Sequence, residues 1–170
     1  MTALVVFTDL DGCLLDEETG ACEAAGPALQ ALRRAEVPLV LCTSKTRAEV
    51  EPLHRRLGLE SPYVVENGGA IAIPASARGW KAPLGPRGGG PLMVPLGAPR
   101  ARLVEALAEI AAESGVCVRG FADLTVEEVG ERTGLAVEAA RRAAMREYDE
   151  PFLIEGEAPP RAAESALAAA

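Results

Sequence analysis

What the chain has little of narrows its function before any motif is read. Phe, Trp and Tyr make up 4% of its 170 residues, so a core must be built from Leu, Val, Ile and Ala. Uninterrupted apolar runs such as Ala3–Phe7 fall well short of the about 20 residues of a membrane span, or the about 7–15 of a secretion signal. The cysteines, Cys13, Cys22, Cys42 and Cys117, show no CxxC spacing, and His54 is the single histidine. That set supports neither a zinc site nor a disulfide framework and fits a reducing cytoplasm. Basic charge is short as well. The 17 Lys and Arg face 25 Asp and Glu, a net charge of −8, the reverse of a nucleic-acid-binding surface. Lys45 and Lys81 are the only lysines.

What remains is a globular composition, 49% hydrophobic and 25% charged, of a length suited to about one domain. Ala3–Phe7 reads as a buried strand ending in Thr8-Asp9-Leu10-Asp11-Gly12. Gly26-Pro27 starts a helix, with proline suited to the first turn. Val37–Cys42 is a second strand, closed by Thr43-Ser44-Lys45. Thr46-Arg47-Ala48-Glu49 matches a capping box, and Pro52 should kink the following helix or move its start. Pro62–Val65 is a third strand, broken by Glu66-Asn67-Gly68-Gly69. Strands alternating with helices predict an α/β fold with a parallel sheet, whose ligand crevice lies at the carboxyl ends of the strands. The three polar clusters all fall at those ends.

From about Ala82 the texture changes. Pro83, Pro86, Gly88, Gly89, Gly90 and Pro91 form a connector, which is no phosphate loop, since no strand precedes it and no Gly-Lys-Ser/Thr follows. A strand at Leu92–Leu96, a helix from Arg100 to Ser114 capped by Gly115, a strand at Val116–Phe121, helices to about Tyr148 and a strand at Phe152–Glu155 follow. The helix presents Leu103, Leu107 and Ile110 inward. The last dozen residues read as an Ala-rich helix.

Asp9-Leu10-Asp11 is the sharpest chemical signal. Two carboxylates where a buried strand turns into a loop can converge on one point, although acidic surface loops have the same spelling. With Gly12, Leu14 and Leu15 added, Asp-Leu-Asp-Gly-Cys-Leu-Leu resembles the first motif of the haloacid dehalogenase (HAD) phosphatase superfamily, and Thr43 falls at its second. Cys13 replaces the usual Thr or Val and reads as a small neutral filler. Thr43-Ser44-Lys45-Thr46-Arg47, Glu66-Asn67-Gly68-Gly69 and the segment Arg146–Phe152 narrow the resemblance to the mannosyl-3-phosphoglycerate phosphatase family.

That resemblance implies a HAD-like Rossmannoid core over residues 1–81 and an inserted α/β cap of C2 type over 82–170. It implies Asp9 as nucleophile and Asp11 as acid and then base. Gly12, Thr43, Ser44 and Lys45 would bind phosphate, and Mg²⁺ would be held by the Asp9 carboxylate and the Asp11 main-chain carbonyl. Thr46, Glu66, Asn67 and Gly68, with Arg119, Arg132, Arg142 and Arg146 of the cap, would bind a phosphorylated sugar-glycerate. Blander readings stand beside these. Ser44 and Thr46 can serve as helix caps, Glu66–Gly69 as a turn, the arginines as ordinary helix surface, and His54 as a surface residue of an amphipathic helix. The superfamily's third-motif Lys and fourth-motif acidic pair find no match, so the resemblance implies a chain lacking its C-terminal core strands and inactive alone. The alternatives are a HAD hydrolase of another sugar phosphate and a non-catalytic phosphoacceptor module.

Overall fold

Parallel pairing of the first two strands sets the frame of the site. In a computed structural model describing residues 4–16, 18–77, 79–80 and 90–155, β1 (Val6–Thr8) pairs with β2 (Leu39–Leu41) in the register Val6↔Leu39, Phe7↔Val40, Thr8↔Leu41. Between them runs α1 (Gly26–Arg34), with Pro27 in its first turn, where a missing N–H costs no hydrogen bond. All three residues of β2 are buried, as expected of a strand in the middle of a covered parallel sheet. β3 (Tyr63–Val65) joins β2 through a parallel bridge, Cys42↔Val64.

The connection from β2 to β3 is α2 (Arg47–Arg56). Its capping box is complete: Thr46 Oγ1 accepts the Glu49 N–H at 3.3 Å, and the Thr46 N–H donates to Glu49 Oε2 at 2.9 Å. The helix keeps its start at Arg47 and runs through Pro52, so the expected shift of its start does not occur. His54 overturns the surface reading. It is 3% exposed, in a buried stripe with Val50, Leu53 and Leu57. Those four positions are one face of a helix at spacings of three and four. Its Nε2 lies 2.8 Å from the Ser61 carbonyl, and its ring is 4.7 Å from that of Tyr63.

After β3 the chain reverses and pairs antiparallel twice more, β3 with β4 (Ala70–Ile73) and β4 with β5 (Leu92–Pro95). No strand was expected at Ala70–Ile73. Contacts divide the chain into two units, the first ending at Leu96 and the second starting at Gly97. β5 therefore belongs with the first unit through its ladder to β4, although the sequence reading places it beyond residue 81.

The second unit opens with α3 (Arg100–Ser114), closed by Gly115 at φ 69, the left-handed stop that glycine adopts without a Cβ penalty. Leu103, Leu107 and Ile110 are half-buried. β6 (Cys117–Gly120) and β7 (Phe152–Glu155) form an antiparallel pair. Between them lie α4 (Val126–Thr133), with a second complete capping box at Thr125 and Glu128, and α5 (Val137–Ala143). Gly130 lets the α4–α5 corner close, since a Cβ there would stand 2.9 Å from the Leu135 carbonyl oxygen. The buried Glu150 carboxylate (3% exposed) meets Arg100 Nε at 2.5 Å and accepts the Ala122 N–H at 2.6 Å. It lies so close over Gly120 that a Cβ there would be 2.5 Å from Glu150 Oε1. The expected Ala-rich helix and residues 82–89 of the expected connector lie outside the described residues.

Candidate active site

The polar clusters at the ends of β1, β2 and β3 meet around one cavity. At the end of β1 the Thr8 carbonyl accepts the Cys42 N–H at 2.8 Å, which locks the two strand ends level. The chain then curls. Cys13 and Leu15 both donate to the Leu10 carbonyl, at 3.2 and 2.7 Å, and Gly12 takes φ 69 to make the bend. Leu10, Leu14 and Leu15 are buried as anchors, while Asp9 and Asp11 on either side of Leu10 are exposed. Hydrophobic anchoring thus presents two carboxylates on a short curl. Asp9 Oδ1 accepts the Leu10 N–H at 2.6 Å, which fixes that carboxylate's orientation.

Past β2, Thr43 Oγ1 accepts the Lys45 N–H at 3.2 Å. Lys45 reaches back to Asp11, Nζ to Oδ2, at 2.8 Å. An open cavity of about 400 Å³ is lined by Asp9, Cys42, Thr43, Ser44, Val64, Asn67 and Gly68. Another, of about 240 Å³, lies among Leu29, Leu32, Leu39, Leu59 and Trp80 and holds none of the residues singled out from the sequence. Burial, and secondarily the charge of Asp9, push the Cys42 thiol above its ordinary pKa. It is a neutral wall, not a nucleophile.

The structure brings Asp9, Thr43, Ser44, Asn67 and Gly68 onto the cavity wall, with the Asp11–Lys45 pair on the adjoining loops. Two residues assigned to substrate contact are instead closed into the protein. Thr46 is 0% exposed as the cap of α2, and Glu66 is 1% exposed in the turn after β3. Cys42 and Val64, which line the cavity, were missed. Their only sequence signal is adjacency to a strand end. In the second unit, Arg119 lies 3.0 Å from Glu128 and 3.7 Å from Glu155, and Arg132 is 3.7 Å from Glu155. Arg146 bonds both oxygens of Asp149, at 2.8 and 2.7 Å, and lies over the Phe121 ring. Arg142 is exposed on α5. Arg119, Arg132 and Arg146 therefore already have carboxylate partners, and an anion there would have to compete with those acids.

Two hard oxygen donors, the Asp9 carboxylate and the Asp11 main-chain carbonyl, are the residues that could hold a cation. Among the described residues no group of three or more His, Cys, Asp and Glu side chains could do so.

Comparison with known proteins accords with this geometry. Residues 6–79 match the family of haloacid dehalogenase-like hydrolases. The glucosyl-3-phosphoglycerate/mannosyl-3-phosphoglycerate phosphatase of Methanococcoides burtonii is 40% identical over 151 residues, covering 89% of this chain and 56% of that protein. The mannosyl-3-phosphoglycerate phosphatase of Pyrococcus furiosus is 34% identical over 150 residues, 88% of this chain and 60% of that one. The chain spans little more than half the length of these curated relatives. A solved phosphatase of the haloalkanoate (HAD) superfamily from Bacteroides thetaiotaomicron aligns over 79% of this chain and 47% of its own, with a TM-score of 0.52 at 18% identity. That likeness concerns the fold alone, an α/β fold of HAD type.

Proposed function

This chain belongs to the haloacid dehalogenase-like hydrolase family, and from that premise we propose that it is a phosphatase of a phosphorylated sugar-glycerate. The reading names mannosyl-3-phosphoglycerate as substrate, released as mannosylglycerate and phosphate. The observation that carries it is the shared wall of Asp9 and Thr43 in the 400 Å³ cavity, with Lys45 holding Asp11 at 2.8 Å beside it.

In this mechanism a carboxylate oxygen of Asp9 attacks phosphorus in line, and the bond from phosphorus to the glycerate oxygen breaks as the aspartyl-phosphate forms. Asp11 gives its proton to the departing oxygen, then takes one from the water that attacks phosphorus and frees Asp9. Thr43 accepts the Lys45 N–H, so its own hydroxyl proton is left to donate to a phosphoryl oxygen. The Lys45 ammonium offsets the charge of an anionic substrate entering beside the Asp9 carboxylate. Mg²⁺, held by the Asp9 carboxylate and the Asp11 carbonyl, would screen the repulsion between carboxylate and phosphate. The first unit supplies this chemistry, and the second is assigned the role of cap.

Within this reading the enzyme is cytoplasmic and makes a compatible solute. The test is Asp9→Asn in the complete protein, assayed for phosphate release from mannosyl-3-phosphoglycerate, its glucosyl counterpart and simpler sugar phosphates. Removing a covalent nucleophile should lower kcat by roughly 10³-fold or more with the fold unchanged. Full turnover by the variant would end the proposal, and a higher kcat/KM on an unrelated sugar phosphate would replace the substrate.

A further inference from the structure

The loop bearing Thr43 and Lys45 is stitched by its backbone to the turn after β3. The Thr43 N–H donates to the Val64 carbonyl at 3.2 Å, the Glu66 N–H to the Lys45 carbonyl at 3.0 Å, and the Asn67 N–H to the Thr43 carbonyl at 3.2 Å. Aiming two successive amides back at one loop requires an unusual backbone. Glu66 takes φ 51, Asn67 takes φ 55 and ψ 27, and Gly68 follows at φ 94. Left-handed conformations are unfavourable for residues with a Cβ and persist where surrounding structure enforces them. Asn bears them best of the larger residues, and glycine bears them freely.

We propose that Asn67 is a positioning residue, whose left-handed backbone holds the Thr43–Lys45 loop in register with Asp9. Its amide side chain is secondary in this role. The turn fixes the carbonyls of Thr43 and Lys45, so the Thr43 hydroxyl and the Lys45 ammonium inherit their places from it. Thr43 is thereby set on the cavity wall, and Lys45 within reach of Asp11. The catalytic part of this inference rests on the phosphatase reading, and the structural part does not.

The experiment compares Asn67→Gly with Asn67→Val in the complete protein, following hydrogen exchange of the Glu66 and Asn67 amides together with kcat and KM. Glycine keeps the turn, so both amides stay protected and whatever the lost side chain costs falls on KM. Valine, a β-branched residue that is a genuine outlier at positive φ, exposes both amides and lowers kcat by more than about fivefold with KM little changed. Asn67 is exposed, so neither change buries or empties core volume. Should the valine variant not fold, Asn67→Ala takes its place with the same signs. Equal losses in the glycine and valine variants, borne mainly by KM, would overturn the proposal in favour of direct substrate contact by the side chain. Unaltered amide protection in the valine variant would overturn it too. A wild-type protein that releases no phosphate would sink the phosphatase reading alone, because the exchange comparison still decides whether Asn67 holds the loop.

Discussion

Thr43 does two things with one oxygen: it accepts the Lys45 N–H at 3.2 Å and stands on the cavity wall. Thr43→Val keeps its shape, removes the side chain's hydroxyl hydrogen, and leaves the Lys45 N–H without that acceptor. Single donors to developing negative charge are worth about 10²–10³ in kcat, so Thr43→Val should lose roughly that factor while Thr43→Ser keeps most activity. Steady-state phosphate release measures both, and equal rates for the valine variant and the wild type would remove Thr43 from the site. Strand-end residues such as Asp9 and Thr43 were legible from sequence because the switch from apolar to polar residues is local. Thr46 and Glu66 were not, since whether a polar side chain faces a ligand or caps its own backbone depends on neighbours beyond its own segment.

Among the elements, α2 carries the clearest pH signature. Burial is the main reason that the His54 pKa lies below its ordinary 6.5, with the Ser61 carbonyl and the Glu51 charge opposing it. The folded state therefore holds His54 neutral, while the unfolded chain takes up a proton below about 6.5. Stability contributed here is complete above that pH and is lost as pH falls below it. Thermal unfolding between pH 7 and pH 5 should show a steeper loss in the wild type than in His54→Gln, and identical slopes would contradict the assignment. The inward stripe of α2 could be counted from the sequence at spacings of three and four, yet a lone histidine between Leu53 and Arg55 reads equally as surface. The capping box at Thr46–Glu49 was visible because four consecutive residues define it. β4 was not, because Ala70-Ile71-Ala72-Ile73 is a short, wholly apolar run without polar alternation, and its pairing depends on the left-handed turn before it.

At the scale of the molecule, backbone hydrogen bonds tie the loops of the candidate site to one another. The Cys42, Thr43, Glu66 and Asn67 N–H groups donate to the carbonyls of Thr8, Val64, Lys45 and Thr43 respectively, all within the protein. Chelation of divalent ions should therefore stop phosphate release and leave the circular dichroism spectrum unchanged, with Mg²⁺ restoring turnover. Collapse of the spectrum on chelation would show the ion to be structural instead. The alternation of strands and helices foretold the parallel frame of the first unit, whereas the boundary at Leu96 depends on a ladder between segments far apart in sequence. The second unit carries a constraint of another kind. Glu150 occupies the space a side chain at Gly120 would need and neutralises Arg100, and stranding one charge of a buried pair costs about 3–5 kcal/mol. Filling Gly120 while Arg100 and Glu150 remain would therefore push that carboxylate away from its guanidinium and from the Ala122 amide.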